Sequence, residues 1–333
     1  MKHKTIDDIA LEAGVSKATV SRVISHPEIV SQRTQERVRA VMDKYSYTPS
    51  LLAQGLAGSP TKTIGVIIDE LSNFFFIEIA EGIDRILSPS GYSMLLSSSR
   101  WIEEREIQLV RSLISNRVQG VLIAPISENS SAIQLLKEAG IPFVVINSIP
   151  KDPSISFVCC DNHEGGRIAA QYLNTYPSEQ TIVITGFAHQ SIEHRLEGFF
   201  NTIDTPDSII RYSQIKTQEE GYNLAPELIK RNQIDRKKTT LFITNDNVAI
   251  GIINRLVEEG IQIPEQVSIL GYDNIRISEL CRIPLTTINQ SITQTGELAA
   301  QSLLKLLKKQ DSVYHHLIHP SLIQRESTVH IPQ

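Results

Sequence analysis

The sequence predicts an α/β protein: a small N-terminal three-helix headpiece of helix-turn-helix type, then two doubly wound parallel sheets. Three observations carry this. Residues 5–45 read as short amphipathic helices broken by Gly14 and Pro27. From residue 63, continuous apolar runs alternate with amphipathic helical stretches, the pattern of parallel strands covered on both faces. The chain has 333 residues, more than one hydrophobic core ordinarily organises, so two or three domains are expected.

In the headpiece, "TIDDIALEAG" (5–14) opens with Thr5 as N-cap and Asp8 three residues on, a variant of the capping box. Ile6, Ile9, Ala10 and Ala13 fall on one face, and Gly14 stops the helix. Ser16 caps a second helix, 17–25, with Val20, Val23 and Ile24 inward; Ser31 caps a third, 32–45, with Val38, Val41 and Met42 inward. Beyond residue 62, strands are expected at 63–69, 92–99, 120–126, 142–148, 157–161, 181–187, 209–215, 239–245 and 267–273. Helices are expected at 74–87, 103–117, 131–139, 163–176, 219–231 and 246–259, with a final helix at 295–310 and a last strand near 315–326. The two sheets divide near residue 161. Pro226 falls inside a helical stretch, so a kink or a late start is expected there.

Apolar content of 41% and charged content of 21% suit a soluble globular chain. No stretch approaches the roughly 20 apolar residues of a membrane span. The charged N-terminus lacks an apolar signal-peptide core, and Cys159, Cys160 and Cys281 form neither a disulfide framework nor a metal-site spacing. A reducing cytoplasm is the expected location. The net charge is −5, but residues 1–62 carry about +3, leaving about −8 for the rest. A basic head on an acidic body would meet nucleic acid head first, although +3 over sixty residues is also ordinary scatter.

The turn "AGVS" (13–16) between two helices has helix-turn-helix spacing. A second helix entering the major groove by its N-terminus would bring Lys17, Ala18 and Arg22 to base edges. Ser16, Thr19 and Ser21 suit phosphates, and Thr5 completes the set of DNA contacts. An Arg reads guanine with two hydrogen bonds, and an Ala methyl packs on a thymine methyl. Shape alone leaves a plain three-helix cap equally open.

The residue detail goes further. "TIDDIALEAGVSKATVSRVIS" resembles the DNA-reading headpiece of the lactose-repressor (LacI/GalR) family of bacterial transcription regulators. "TPSLLAQGLAG" (48–58) resembles its hinge, and "TKTIGVIIDELSNFFFIEIAEGI" (61–83) the first strand and helix of its ligand-binding core. "HRLEGF" (194–199), "TNDNVAIGI" (244–252), "VSILGYDN" (267–274), "PLTTINQ" (284–290) and "LIQRES" (322–327) match later blocks in order. The resemblance implies a headpiece over 1–48, a hinge over 49–61 and a two-lobed periplasmic-binding-protein-like core over 62–333. The first lobe would hold about 62–161 and 292–310, the second about 162–291 and 311–333. It implies that the hinge folds into a short helix on operator DNA, with Leu56 wedged between base steps and Ala53 allowing the two copies to approach. Gly55 weakens such a helix by about 1 kcal/mol relative to Ala. It further implies a dimer on inverted-repeat operators. No heptad tail follows residue 327, so a dimer rather than a tetramer is expected.

Ligands of such folds bind beyond the carboxyl ends of strands. The polar and aromatic residues there are Asn73, Phe75, Phe76, Asn147, Asp161, Asn245, Asp246 and Asp273. Asp161 and Asp246 precede helices, which makes capping their expected role. The resemblance puts Phe75 or Phe76 against the ligand, with Arg195 holding it from the second lobe and Asn245 and Asp273 taking its hydroxyls. Asn147 stands between a pocket role and none. The phenylalanines 74–76 cannot all share one helix face, so at least one belongs to the core. Two departures from the family bear on the ligand: Phe74 stands where Pro is usual, and Lys216 where many members have an aromatic. A cleft-facing Lys216 favours an anionic ligand such as a sugar phosphate. No catalytic constellation, phosphate loop, metal set or cofactor motif is read, so no enzyme is expected. The expected partners are operator DNA, a carbohydrate-like effector and a second copy, with no membrane. The rival readings are a sugar-binding transport component, which would need export, and a regulator answering to a protein co-regulator.

Overall fold

The computed structural model describes residues 4–47, 61–175, 178–309 and 312–329. The hinge residues Ala53, Gly55 and Leu56 lie outside these.

The headpiece holds α1 (Ile6–Ala13), α2 (Lys17–Ser25) and α3 (Gln32–Lys44). The Thr5–Asp8 capping box forms, and Gly14 ends α1 in the left-handed conformation at φ 60°. Ser16 caps α2 by accepting from the Thr19 N–H at 3.1 Å. Ser31 differs from expectation: it heads α3, but its hydroxyl meets the Thr34 hydroxyl at 2.9 Å and caps no backbone N–H. Ile9, Ala10, Ala13, Val20, Val23 and Val38 form the buried core, and the Lys44 ammonium and Tyr45 hydroxyl hold Glu12 of α1 at 2.6 and 2.7 Å.

The core contains two six-stranded sheets. The first lobe carries β1 (Thr63–Ile68), β2 (Ser93–Ser98), β3 (Gly120–Ile123), β4 (Phe143–Ile146) and β5 (Phe157–Cys160). Its helices are α4 (Phe74–Leu87), α5 (Glu103–Ser115) and α6 (Ser131–Glu138). The second lobe carries α7 (Asn162–Asn174), β6 (Gln180–Ile184), α8 (Gln190–Phe200), β7 (Ile210–Tyr212) and α9 (Gln218–Asn232). It continues with β8 (Thr239–Ile243), α10 (Asp246–Glu258), β9 (Val267–Asp273) and β10 (Thr286–Asn289). The chain then returns to the first lobe for α11 (Ile292–Leu307) and β11 (His315–Ile318), and ends in the second with β12 (Ser321–Ile323). The sheet orders are β11-β5-β4-β3-β1-β2 and β12-β10-β9-β8-β6-β7. All pairings are parallel except β12 on β10. The strands are runs of β-branched and aliphatic residues buried on both faces, such as Ile64, Val66, Ile67 and Ile68 in β1.

Three expectations need correction. The segment 315–326 is two strands rather than one, and they serve different sheets, so 311–333 does not belong wholly to the second lobe. The segment 284–290 contains a strand, β10, which was not expected. Helix α9 begins at Gln218 and runs through Pro226, so there is no late start. The core chain crosses between lobes three times, after β5, β10 and β11.

Three helix pairs meet through reciprocal glycines. A Cβ on Gly82 of α4 would strike the Thr293 carbonyl of α11, and one on Gly296 would strike that of Ile79. Gly166 and Gly198 are likewise closed off by the carbonyls of Arg195 and His163 between α7 and α8. Gly221 and Gly251 are closed off by those of Val248 and Gln218 between α9 and α10. Backbones approach here to distances only a residue without a side chain allows.

Candidate functional site

The exposed face of α2 presents Lys17, Ala18 and Arg22, with Ser16 exposed at its head and Thr19 and Ser21 half-buried. Thr5 is exposed at the start of α1. The sequence thus sorts inward from outward residues correctly on this helix. Lys17 is not a free cation, since its ammonium pairs with Asp7 at 3.0 Å. That pair is solvent-exposed and worth about 0–1 kcal/mol, so it breaks readily in favour of a contact to DNA.

Between the lobes lies a cavity of about 80 Å³, lined by the segments that follow the strands. Asn73, Phe75, Phe76, Asn147, Arg195, Lys216, Asn245 and Asp273 all line it. Phe75 and Phe76 are both buried and meet edge to face at 5.1 Å, while Phe74 is the exposed member of the three. Asn73 caps α4 through Phe75 N–H at 3.0 Å and also accepts from Asn247 of the other lobe at 2.6 Å. Asn147 adopts φ 59°, which Asn tolerates better than most residues.

Asp161 caps α7 as expected, accepting from the Glu164 N–H at 3.0 Å. Asp246 does not cap α10, and Asn245 takes that position through Val248 N–H at 3.2 Å. Asp246 is fully buried instead, accepting from the Thr287 hydroxyl at 2.7 Å and the Ile275 N–H at 3.2 Å. It ties α10 to β10 and to the loop after β9. Burial raises its pKa against those bonds.

Arg195 sits on α8 with 2% of its surface exposed. Its guanidinium donates to the Thr244 carbonyl and to Asn162 Oδ1, and it stacks 3.3 Å from the centre of the Tyr272 ring. Asp273 Oδ1 lies 3.9 Å away and accepts from Gln290 Nε2 at 2.5 Å. Burial pushes the Asp273 carboxyl well above the usual range, with Arg195 pulling it back only in part. Two buried atoms here have no hydrogen-bond partner among the described residues: Arg195 Nε and Gln290 Oε1.

Sequence reasoning missed several wall residues: Glu70, Trp101, Phe187, His189, Ser191 and Gln290. Trp101 packs on Phe187 at 4.8 Å and on His189 at 5.7 Å, an aromatic wall drawn from both lobes. The rule that pockets form after strands would have found Trp101 and Gln290, which follow β2 and β10. His189 is buried, which lowers its pKa, and it lies within 3.3 Å of the Pro125 carbonyl. That contact requires Nε2–H, leaving Nδ1 to accept from the Ser191 hydroxyl at 2.8 Å. Gln190 latches the lobes: its Oε1 accepts from Ile149 N–H at 2.7 Å and its Nε2 donates to Glu128 at 2.7 Å.

A helix-turn-helix headpiece joined to a two-lobed core with a cleft at the strand ends defines a class, the ligand-responsive DNA-binding regulators. Residues 5–50 match the lacI family of bacterial regulatory proteins, and residues 179–328 match the periplasmic binding protein-like domain. The chain is 30% identical over 329 residues to the HTH-type transcriptional repressor PurR of Vibrio atlanticus, covering 97% of this chain and 98% of that protein. It is 29% identical over 309 residues to the catabolite control protein A of Priestia megaterium, covering 92% and 93%. Among solved structures, the lac repressor dimer bound to operator and the anti-inducer ONPF superposes with TM-score 0.82 at 26% identity, covering 99% of this chain and all of that one. A LacI family regulator from Enterococcus faecium with bound ribose gives 0.72 at 27% identity, covering 81% and 100%. The chain belongs to the LacI family, and it is a DNA-binding transcriptional regulator whose relatives are repressors. No helix among the described residues is long and apolar enough to cross a membrane.

Proposed function

We propose that the protein is a homodimeric repressor whose operator affinity is set by a carbohydrate effector bound between the lobes. The observation that carries the ligand class is a pair of orphaned atoms on two residues that line the cavity. Among the described residues Arg195 Nε lacks an acceptor and Gln290 Oε1 lacks a donor, and a sugar hydroxyl can accept from the one or donate to the other. Phe75 and Phe76 offer an apolar wall for a sugar ring, while Asn147, Asn245 and Asp273 offer further hydroxyl partners. The ribose-bound relative supports the same class.

The headpiece over 1–48 reads DNA through Thr5, Ser16, Lys17, Ala18, Thr19, Ser21 and Arg22. The hinge over 49–61 adds Ala53 and Leu56, and the core over 62–333 binds effector and partner copy. Exposed Leu71, Phe74, Ile77 and Leu95 on the first lobe and Leu280 on the second support a dimer through the core. Two copies double a recognition site that one short helix reads only in part. The protein acts in the cytoplasm, without enzymatic activity or a cofactor.

The test is a thermal-shift screen of sugars and sugar phosphates, followed by binding of inverted-repeat DNA with each hit. The expected result is a hit that raises the melting temperature and changes operator affinity. Sequence-independent DNA binding, with and without every hit, would sink the repressor reading.

A further inference from the structure

Lys216 follows β7 and lies half-buried on the cavity wall. Its ammonium sits 3.5 Å from the centre of the Phe187 ring, and among the described residues no carboxylate reaches it within ion-pair distance. Phe187 leans in turn on Trp101. The cation is thus held at the cavity mouth by an aromatic face, a weak partner beside an oxyanion.

The surroundings favour negative charge. Helices α4, α8 and α10 all begin at the cavity, where Phe75, Ser191 and Asn245 line it, and helix N-termini carry partial positive charge. Arg195 adds a second cation at depth. Against these stand Glu70 on the facing lobe, whose carboxylate accepts from the Ser72 hydroxyl at 2.7 Å, and Glu220, whose carboxylate accepts from the backbone N–H of Lys216 at 2.6 Å and of Thr217 at 3.1 Å. Asp273 is buried and satisfied by Gln290. His189 spends both ring nitrogens on Pro125 and Ser191.

We propose that the effector is an anionic sugar, its hydroxyls on Arg195 and Gln290 at depth and its phosphate or carboxylate on Lys216 at the mouth. This rests on the carbohydrate reading above and narrows it.

The experiment is calorimetric titration of the full-length protein with ribose, ribose 5-phosphate, glucose, glucose 6-phosphate, gluconate and inorganic phosphate. Wild type, Lys216→Ala and Lys216→Arg are compared, with thermal melting as the check on folding. An anionic member binds wild type at least about ten-fold tighter than its neutral parent, the scale of one hydrogen bond to a charged group. Lys216→Ala erases that preference, and Lys216→Arg retains part of it. The phosphates against gluconate decide which anion is meant. A neutral parent that binds as tightly as its anionic form, or a preference that survives Lys216→Ala, overturns this inference and leaves the carbohydrate reading standing. Failure of every compound to bind overturns both.

Discussion

Asp69 closes β1 with a carboxylate that is fully buried and has no hydrogen-bond partner on either oxygen among the described residues. Burial holds its pKa well above 3.8, and the carboxyls of Glu106 and Glu70 push it further the same way. Above its ordinary pKa the unfolded chain has released this proton while the folded chain still holds it. Stability therefore falls as pH rises through that window, by at most about 1.4 kcal/mol per unit for one group. His189 works from the other side: its pKa is depressed by burial, so stability is lost as pH falls below 6.5. Urea denaturation of Asp69→Asn at pH 5 and pH 8 is expected to show a smaller loss than wild type, and equal losses would place the carboxyl in water. On α2, Arg22→Ala is expected to cost about 1–3 kcal/mol of operator affinity and relax preference at one base pair, whereas Ser21→Ala, at an expected phosphate contact, weakens all sequences alike. Fluorescence anisotropy at fixed salt separates the two. The sequence revealed which residues follow strands, because apolar runs end visibly. It hid Gln190 and His189, whose roles depend on a carbonyl or amide brought from the other lobe. It also misread Asp246, since a carboxylate before a helix is normally a cap and only the packing of β10 makes it an internal tie.

At the scale of elements, the glycine-lined helix crossings fix where α8 sits, and so where Arg195 points. Gly166→Ala would drive a methyl into the Arg195 backbone carbonyl. The expected cost is about 1–3 kcal/mol of stability, with effector affinity falling alongside. Thermal melting with and without ligand measures both, and an unchanged melting temperature would show that α7 and α8 can part freely. The helices and most strands were legible because their periods differ and their caps are chemical. Strand β10 was not, since "TTIN" is short and half hydroxylated; its threonines are buried because Asp246, Ser327 and Thr328 hydrogen-bond them. The division of 315–326 into two strands was invisible for another reason. Periodicity says that a segment is extended but not which sheet it joins.

For the whole molecule, the lobes are already in contact: Gln190 bridges to Ile149 and Glu128, Asn73 to Asn247, and Arg276 to Glu81 at 2.6 Å. A ligand acts on such a system through its differential affinity for closed and open arrangements. Gln190→Ala removes the largest of these latches and is expected to weaken effector binding and widen the molecule in ligand-free X-ray scattering, with identical scattering curves counting against a latch. Leu280→Asp tests the proposed dimer: Leu280 is 78% exposed, and a charge there is expected to shift that dimer toward monomer in sedimentation and to lower operator affinity with it.

The three crossings between lobes also govern biosynthesis. Helix α11, which covers β3, β4 and β5, and β11, which completes their sheet, are contributed by residues 292–318. A ribosome that has finished all five earlier strands of the first lobe has therefore exposed an uncovered apolar face and a bare sheet edge. Both persist until almost the entire second lobe has emerged. The lobe translated first is the one finished last, and during that interval the nascent chain is most open to aggregation and to chaperones.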